Sequence, residues 1–420
     1  MAKRIKRQAI EVFLDSAELG GLRKVGSLFR HENRTDVPTA FEYEREWLRN
    51  GDAFMLDPRL ELYAGEQYPP GSASAFGIFM DSAPDRWGRV LMERREAVRA
   101  RHEGRPVRSL QELDFLLGVN DLTRTGALRF KSKDSETYLD ASENAAPPFA
   151  RLQELAEISR RIESAEAESL PEYERWLAML IAPGTSLGGA RPKANFEDAD
   201  GRLWLAKFPA GDDRHDVGAW EYLANRLAQR AGIAVPEARL EALSARHHTY
   251  CAARFDRVGL DRRMFASAMT LLERRERDAE ASYLDLAEFI ANQGTPDRIA
   301  ADLEQLFRRV SFNVLIGNRD DHLRNHAFIR EKAGWRLAPA YDVNPNPSKA
   351  VHALRLDDSS AIPDIEAVRG TADYYRLSGV AADRILSEVR EAIGAWQGEA
   401  GQLGMSRTEI DMMGRVIQSP

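Results

Sequence analysis

The segment Asn318-Arg-Asp-Asp-His-Leu-Arg-Asn325 constrains this chain more than any other. It holds Arg-Asp, four residues, and then Asn. One tight loop with that spacing can aim a carboxylate and an amide at the same phosphate. In a kinase catalytic loop the Asp accepts the hydroxyl proton of the substrate, and the Asn five residues later binds a metal ion. Asp320 and Asn325 fit those roles. The plain alternative is a polar helix-to-strand loop with solvated charges, and the spacing alone does not choose between them.

Three further pieces lie around it. Asp342, in Ala340-Tyr341-Asp342, follows two hairpin-like strands at 327–330 and 335–338. A carboxylate just past such a strand is where a kinase holds its Mg²⁺; the plain reading is a turn residue before Asn344-Pro345. Lys207 stands in the otherwise apolar strand 203–208, where its charge is costly unless it is paired or reaches the surface. A nucleotide phosphate would pair it, and Glu221 on the following helix could anchor it. Upstream, Gly188-Gly189-Ala190 would let backbone N–H groups approach phosphates, although an ordinary turn reads the same way. Each signal is weak alone. Their order is glycine loop, strand lysine, helix glutamate, strand, Asp-x4-Asn, Asp, which is the order of parts in a protein kinase.

The remainder of the chain divides by pattern. Residues 9–14 and 24–29 read as strands, with Ile10, Val12 and Leu14 on one face and Gly20-Gly21 between them. A helix is predicted from Ser82 as N-cap, with Pro84 in its first turn. It runs into an arginine-rich stretch whose interleaved Glu93, Glu96 and Glu103 favour a solvated face over a phosphate patch. The polar stretch 131–148 is the expected boundary of an amino-terminal domain. A helix over 216–231 buries Trp220, Leu223, Ala224 and Leu227 and stops at Gly232; Ser282 caps another that Gly294 ends. At 420 residues the chain needs two or three such packed units.

Composition closes off several classes. A net charge of -7 argues against wholesale coating of nucleic acid. The single cysteine, Cys251, excludes an internal disulfide and any multi-cysteine metal site, and reads as a buried structural thiol. No apolar run approaches the roughly 20 residues of a membrane helix, and no signal peptide follows the basic start, so a cytoplasmic protein without membrane contact is expected. His322 and His326, with Asp320 and Asp321, could form a metal clasp for a hydrolase, but no Glu follows the first His and Asn325 precedes the second.

Together these residues resemble the HipA family of Ser/Thr kinase toxins, over nearly the whole chain. The resemblance is carried by Phe41-x-Tyr43 with Trp47-Leu48, Pro84-Asp-Arg-Trp-Gly-Arg89, Gly126-Ala-Leu-Arg-Phe130, Ser186-Leu-Gly-Gly-Ala-Arg-Pro-Lys193, Lys207-Phe-Pro209, Ala253-Arg-Phe-Asp256, Asn318-Arg-Asp-Asp-His322 and Tyr341-Asp342. It implies an α+β, protein-kinase-like two-lobed fold with an extra amino-terminal α/β domain and a helical carboxy-terminal lobe. The expected parts are an amino-terminal domain at 1–148, a small kinase lobe at 149–256 and a helical large lobe at 257–420. It implies ATP and Mg²⁺ as cofactors, phosphorylation of a protein Ser or Thr, and autophosphorylation on Ser186. By position, Gly188, Gly189, Ala190, Arg191 and Lys193 would line the phosphates and Lys207 would contact them. Ala253, Arg254 and Phe255 would form the adenine hinge, and Asp256 would approach the ribose. His322, Asn325, Tyr341 and Asp342 would lie against the nucleotide, with Asp320 as base and Asn325 and Asp342 as metal ligands. Family members bind a small helix-turn-helix (HipB-like) antitoxin, which carries most of the contact with DNA, and often act on an aminoacyl-tRNA synthetase. Arg191-Pro192 stands where better-known members carry Gln-Glu, and Ala253 where a Glu is common. A kinase-shaped binding partner of a DNA-binding antitoxin is the alternative reading, and a metal hydrolase a third. The presence of Lys207, Asp320, Asn325 and Asp342 together favours activity.

Overall fold

Ile10, Val12 and Leu14 alternate along one strand, and all three are fully buried. The computed structural model describes residues 7–31, 38–133, 135–141, 145–164, 166–181, 189, 191–276 and 278–418. In it, β1 (Arg7–Ser16) pairs antiparallel with β2 (Gly21–His31), Ile10 opposite Leu28 and Val12 opposite Gly26, with an irregularity between Val12 and Phe13. Gly20 and Gly21 make the reversal with φ of +97° and +81°, which a side chain would oppose. With β3 (Ala40–Tyr43), β4 (Glu66–Gln67) and β5 (Leu128–Ser132) they form one sheet in the order β4-β3-β2-β1-β5. Phe41, Phe79 and Phe130 pack their rings over it, with centroids 5.2 and 6.3 Å apart along that row. Each such ring contributes roughly 1.5–3 kcal/mol by leaving water.

The chain divides into two compact units, Met1–Ala206 with Asp256–Ala266, and Lys207–Phe255 with Ser267–Pro420. In the first, the helix expected from Ser82 begins instead at Arg86 and runs to His102. Pro84 keeps the residue before it out of the helical region, so the turn cannot start until Pro84 is passed. The cap is Asp85, whose carboxylate accepts the Gly88 N–H at 2.9 Å, while the Ser82 hydroxyl donates to the Thr125 carbonyl at 3.4 Å. The charges along this helix are paired, Arg105 with Glu96 at 2.6 Å and Arg89 with Glu112 at 2.6 Å. The polar stretch after β5 folds back on it, Leu139 donating to the Phe130 carbonyl at 2.8 Å, and the unit continues to Ala206.

In the second unit the helix Val217–Arg230 is capped by Asp216, which accepts the Ala219 N–H at 3.0 Å, and Gly232 turns the chain away with φ +73°. Strands Ala238–Glu241 and Thr249–Ala253 pair antiparallel, and Cys251 lies fully buried on the second of them. Burial pushes its thiol up, away from the reactive thiolate. Ser282 and Asp285 form a capping box on the helix Tyr283–Gln293. The helix Ile299–Ile316 follows, packed by Gly379–Gly394. Gly317 ends it at φ +75°, where a Cβ would approach Val416 to 2.9 Å. That sharp exit delivers residues 318–325 as a loop, and the hairpin Ala327–Glu331 with Gly334–Leu337 returns the chain toward Asp342. Among the described residues, no helix is long and apolar enough to cross a membrane.

Candidate active site

Lys207 closes the strand Leu203–Lys207 with its ammonium 2.5 Å from Glu221 Oε1 and 2.6 Å from Asp342 Oδ1. Burial alone would lower its pKa; the Asp342 and Glu221 carboxylates outweigh that, and the lysine is held above its ordinary range. Three elements meet in this triangle: a strand end, the first turns of Val217–Arg230, and the loop after the hairpin. Asp342 is held at φ +56°, a conformation that non-glycine residues adopt at a cost and that gathers at functional sites. Lys207 and Glu221 are buried and Asp342 is partly exposed; removing one partner leaves a buried charge uncompensated.

The loop after Gly317 gives two adjacent carboxylates different surroundings. Asp321 is fully buried. Its carboxylate takes the Tyr283 hydroxyl and His352 Nδ1 (2.9 Å) on one oxygen and the Ala353 N–H (3.0 Å) on the other. Burial raises its pKa, but the His352 hydrogen bond and charge more than offset this, and the group lies below its ordinary value. Asn313 continues this network, donating to the Tyr283 hydroxyl at 2.8 Å and accepting from Asn318 at 3.1 Å. Asp321 therefore braces the loop. Asp320 has a side chain half exposed, with its carboxylate on the Lys349 ammonium. Of the two carboxylates, Asp320 is the one open to solvent. The arrangement also bears on the metal clasp, since Asp321 is turned to Tyr283 and His352.

Asn325 is buried and donates its side-chain N–H to the Asp320 carbonyl at 2.9 Å, which ties the end of the loop to its start. With Asn313, Asn318, His326 and Tyr341 it lines a small cavity. An amide oxygen from Asn325 and a carboxylate from Asp342 are hard donors of the kind Mg²⁺ accepts beside substrate phosphates, so this pair fits that ion. His322 is half-buried, and its Nδ1 has no hydrogen-bond partner among the described residues. The Tyr341 hydroxyl donates to the Arg324 carbonyl at 2.6 Å, and its ring lies 5.4 Å from that of Phe255. Beside Phe255, Arg254 is buried, and the Ala253 N–H donates to the Glu237 carbonyl at 2.8 Å.

The other expected nucleotide contacts lie in the first unit. Lys193 is 1% exposed; its ammonium bonds the Asp85 carboxylate and donates to the Gly189 carbonyl at 2.8 Å. Arg191 is half-buried. Asp256 is fully buried, accepting the Gly126 N–H at 2.8 Å and Arg257 Nη1 at 2.6 Å. Ser186, Gly188 and Ala190 fall outside the described residues. Two partners were missed by sequence reasoning. Asp85 lies inside the Pro84–Arg89 run that carried the resemblance, but nothing in that run signals a contact 108 residues away. Lys349, between Ser348 and Ala350, carries no local signal at all.

Comparison with known proteins bears on the family and the fold. Residues 185–396 match the model of the HipA-like C-terminal domain. A Haemophilus influenzae protein described as "Putative kinase" is 28% identical over 39% of this chain and 54% of its own length, so the chain spans about half of that relative. Among solved structures, the chain is similar to that of the Shewanella oneidensis MR-1 toxin–antitoxin complex of HipA, HipB and operator DNA. The TM-score is 0.66 at 16% identity, over 97% of this chain and 95% of that one. The mixed helix and sheet arrangement is thus that of a kinase-like fold.

Proposed function

Because this chain belongs to the HipA-like C-terminal domain family, we propose that it is an ATP-dependent Ser/Thr protein kinase and the toxin of a toxin–antitoxin pair. The observation that carries this reading is the Lys207–Glu221–Asp342 triangle, buried at Lys207 and Glu221 and partly open at Asp342, beside a loop that offers Asp320 and Asn325. A cation with two carboxylates is the arrangement that phosphoryl transfer uses to hold a triphosphate and its metal.

The steps assigned to the residues are these. Lys207 exchanges part of its contact with Asp342 for the phosphates of ATP. Asn325 and Asp342 would hold Mg²⁺, which would supply charge neutralisation at the phosphates. The substrate hydroxyl oxygen bonds to the γ-phosphorus as the bond from phosphorus to the ADP oxygen breaks, and Asp320 takes the hydroxyl proton. The backbone of Gly188, Gly189 and Ala190, with Arg191, lines the phosphates. Ala253–Phe255 meet the adenine, Asp256 the ribose, and His322 and Tyr341 border the nucleotide. Ser186 is the site of autophosphorylation, the protein target belongs to translation, and a helix-turn-helix antitoxin carries most of the contact with DNA. The Shewanella HipA chain, solved with HipB and operator DNA, supports the antitoxin.

Incubation of the purified protein with labelled ATP, Mg²⁺ and a cell lysate tests this. Label is expected on a discrete protein and, by mass spectrometry, on Ser186. Asp320→Asn should keep ATP affinity while transfer falls by roughly 10²–10⁴. Near-wild-type turnover in Asp320→Asn would remove the assignment of the base, and absence of any labelled protein would remove the kinase reading.

A further inference from the structure

The carboxylate assigned as base does not stand alone. Lys349 Nζ bonds Asp320 Oδ1, with the lysine 41% exposed. The segment that carries Lys349 is fixed to the 317–325 loop along its length. Asn346 N–H donates to the Gly317 carbonyl at 2.9 Å, Arg319 Nη1 donates to the Lys349 carbonyl at 2.5 Å, and His352 and Ala353 both bond Asp321. Four attachments within eight residues hold the backbone of Lys349 beside the loop, while its side chain stays partly solvated. Asp320, His322 and Lys349 line the same cavity, of about 490 Å³, which Arg275, Arg324 and Leu354 also border.

A transferring phosphoryl group spreads negative charge over three equatorial oxygens, and cations aimed at those oxygens are the main catalytic resource. Lys207 is held away from Asp320, by Glu221 and Asp342. We propose that Lys349 is a further catalytic residue. Its ammonium rests on the Asp320 carboxylate and, once substrate is bound, also meets the γ-phosphoryl oxygens as the substrate oxygen attacks phosphorus, the bond to ADP breaks and the hydroxyl proton passes to Asp320. This rests on the kinase reading, because it places the γ-phosphate at Asp320.

An acyl-phosphate derivative of ATP tests contact without requiring turnover. A lysine amine near the terminal phosphate attacks the acyl carbon, the bond from that carbon to the phosphate oxygen breaks, ATP leaves with the electron pair, and the lysine keeps the acyl group as an amide after losing a proton. With the full chain and Mg²⁺, mass spectrometry should find Lys349 and Lys207 acylated, both suppressed by excess ATP. In parallel, Lys349→Met should lower kcat by about 10²-fold with ATP affinity by calorimetry within about twofold, and Lys349→Arg should recover part of the loss. Acylation of Lys207 without Lys349, or wild-type kcat in Lys349→Met, overturns the proposal and leaves the kinase reading standing. Acylation of neither lysine overturns both. Loss of ATP affinity in parallel with kcat in Lys349→Met makes the residue structural and also overturns the proposal.

Discussion

His326 is buried against the Tyr283 ring at 5.3 Å, and neither ring nitrogen has a hydrogen-bond partner among the described residues. Burial and the nearby Arg309 charge lower its pKa from the usual 6.5 to about 4, against a weaker pull upward from Asp321. The sign follows from linkage: the folded state binds the proton less well than the unfolded chain. Stability from this group is complete above pH 6.5 and is lost as pH falls toward 4, a contribution of about 3 kcal/mol. Urea unfolding at pH 7 and pH 4.5 should therefore show a smaller loss of stability for His326→Phe than for wild type. Equal losses in the two proteins would contradict the burial argument. The same scale shows what the Arg-Asp-x4-Asn spacing left unsaid, the role of the second carboxylate. Asp320 and Asp321 are identical in type and adjacent, and their surroundings differ, half exposed against fully buried.

Among the elements, the caps were the most legible feature. Ser282 and Gly232 act within a few residues of themselves, so short-range chemistry determines them. Ser82 failed as a cap because Pro84 imposes a second local rule on the same turn. Long-range pairings were not legible. Lys207 meets Asp342 across 135 residues and Lys193 meets Asp85 across 108, distances at which no periodicity speaks. Arg124 shows how much one buried side chain ties together. It is fully buried, stacks over Phe130 at 4.7 Å, and donates to the carbonyls of Leu116 (2.7 Å), Val119 (2.7 Å) and Ser82 (3.2 Å). Burial pulls its pKa down to about 9, which measures how far the site resists the charge. Arg124→Met would keep the stem and strip three buried carbonyls of their donor, each worth about 1–3 kcal/mol. The urea midpoint should fall by the equivalent of about 3 kcal/mol or more. Arg369→Met, which breaks an exposed pair with Asp383, should leave the midpoint unmoved. Equal effects in the two variants would refute the account of Arg124.

For the molecule as a whole, the residues that the kinase reading needs are distributed over both compact units. Gly189, Lys193 and Asp256 belong to the first, and Lys207, Asp320, Asn325 and Asp342 to the second. The chain passes between the units at 206/207, 255/256 and 266/267, so a single truncation point cannot isolate either one. Nucleotide binding is therefore a property to measure on the full chain. A ligand that binds only the folded state stabilises it by mass action, about 2.7 kcal/mol at a hundred times Kd. For units of about 200 residues this corresponds to roughly 5–10 °C in melting temperature. ATP with Mg²⁺ should produce a rise of that size. Lys207→Met should lose it, because the substitution removes the cation and leaves Glu221 and Asp342 facing each other. Zn²⁺ without nucleotide should produce no rise, since Asp321, one of the groups that a clasp with His322 and His326 would need, is already bonded to Tyr283 and His352. A melting temperature that responds to Zn²⁺ and not to ATP would reverse the choice between kinase and hydrolase.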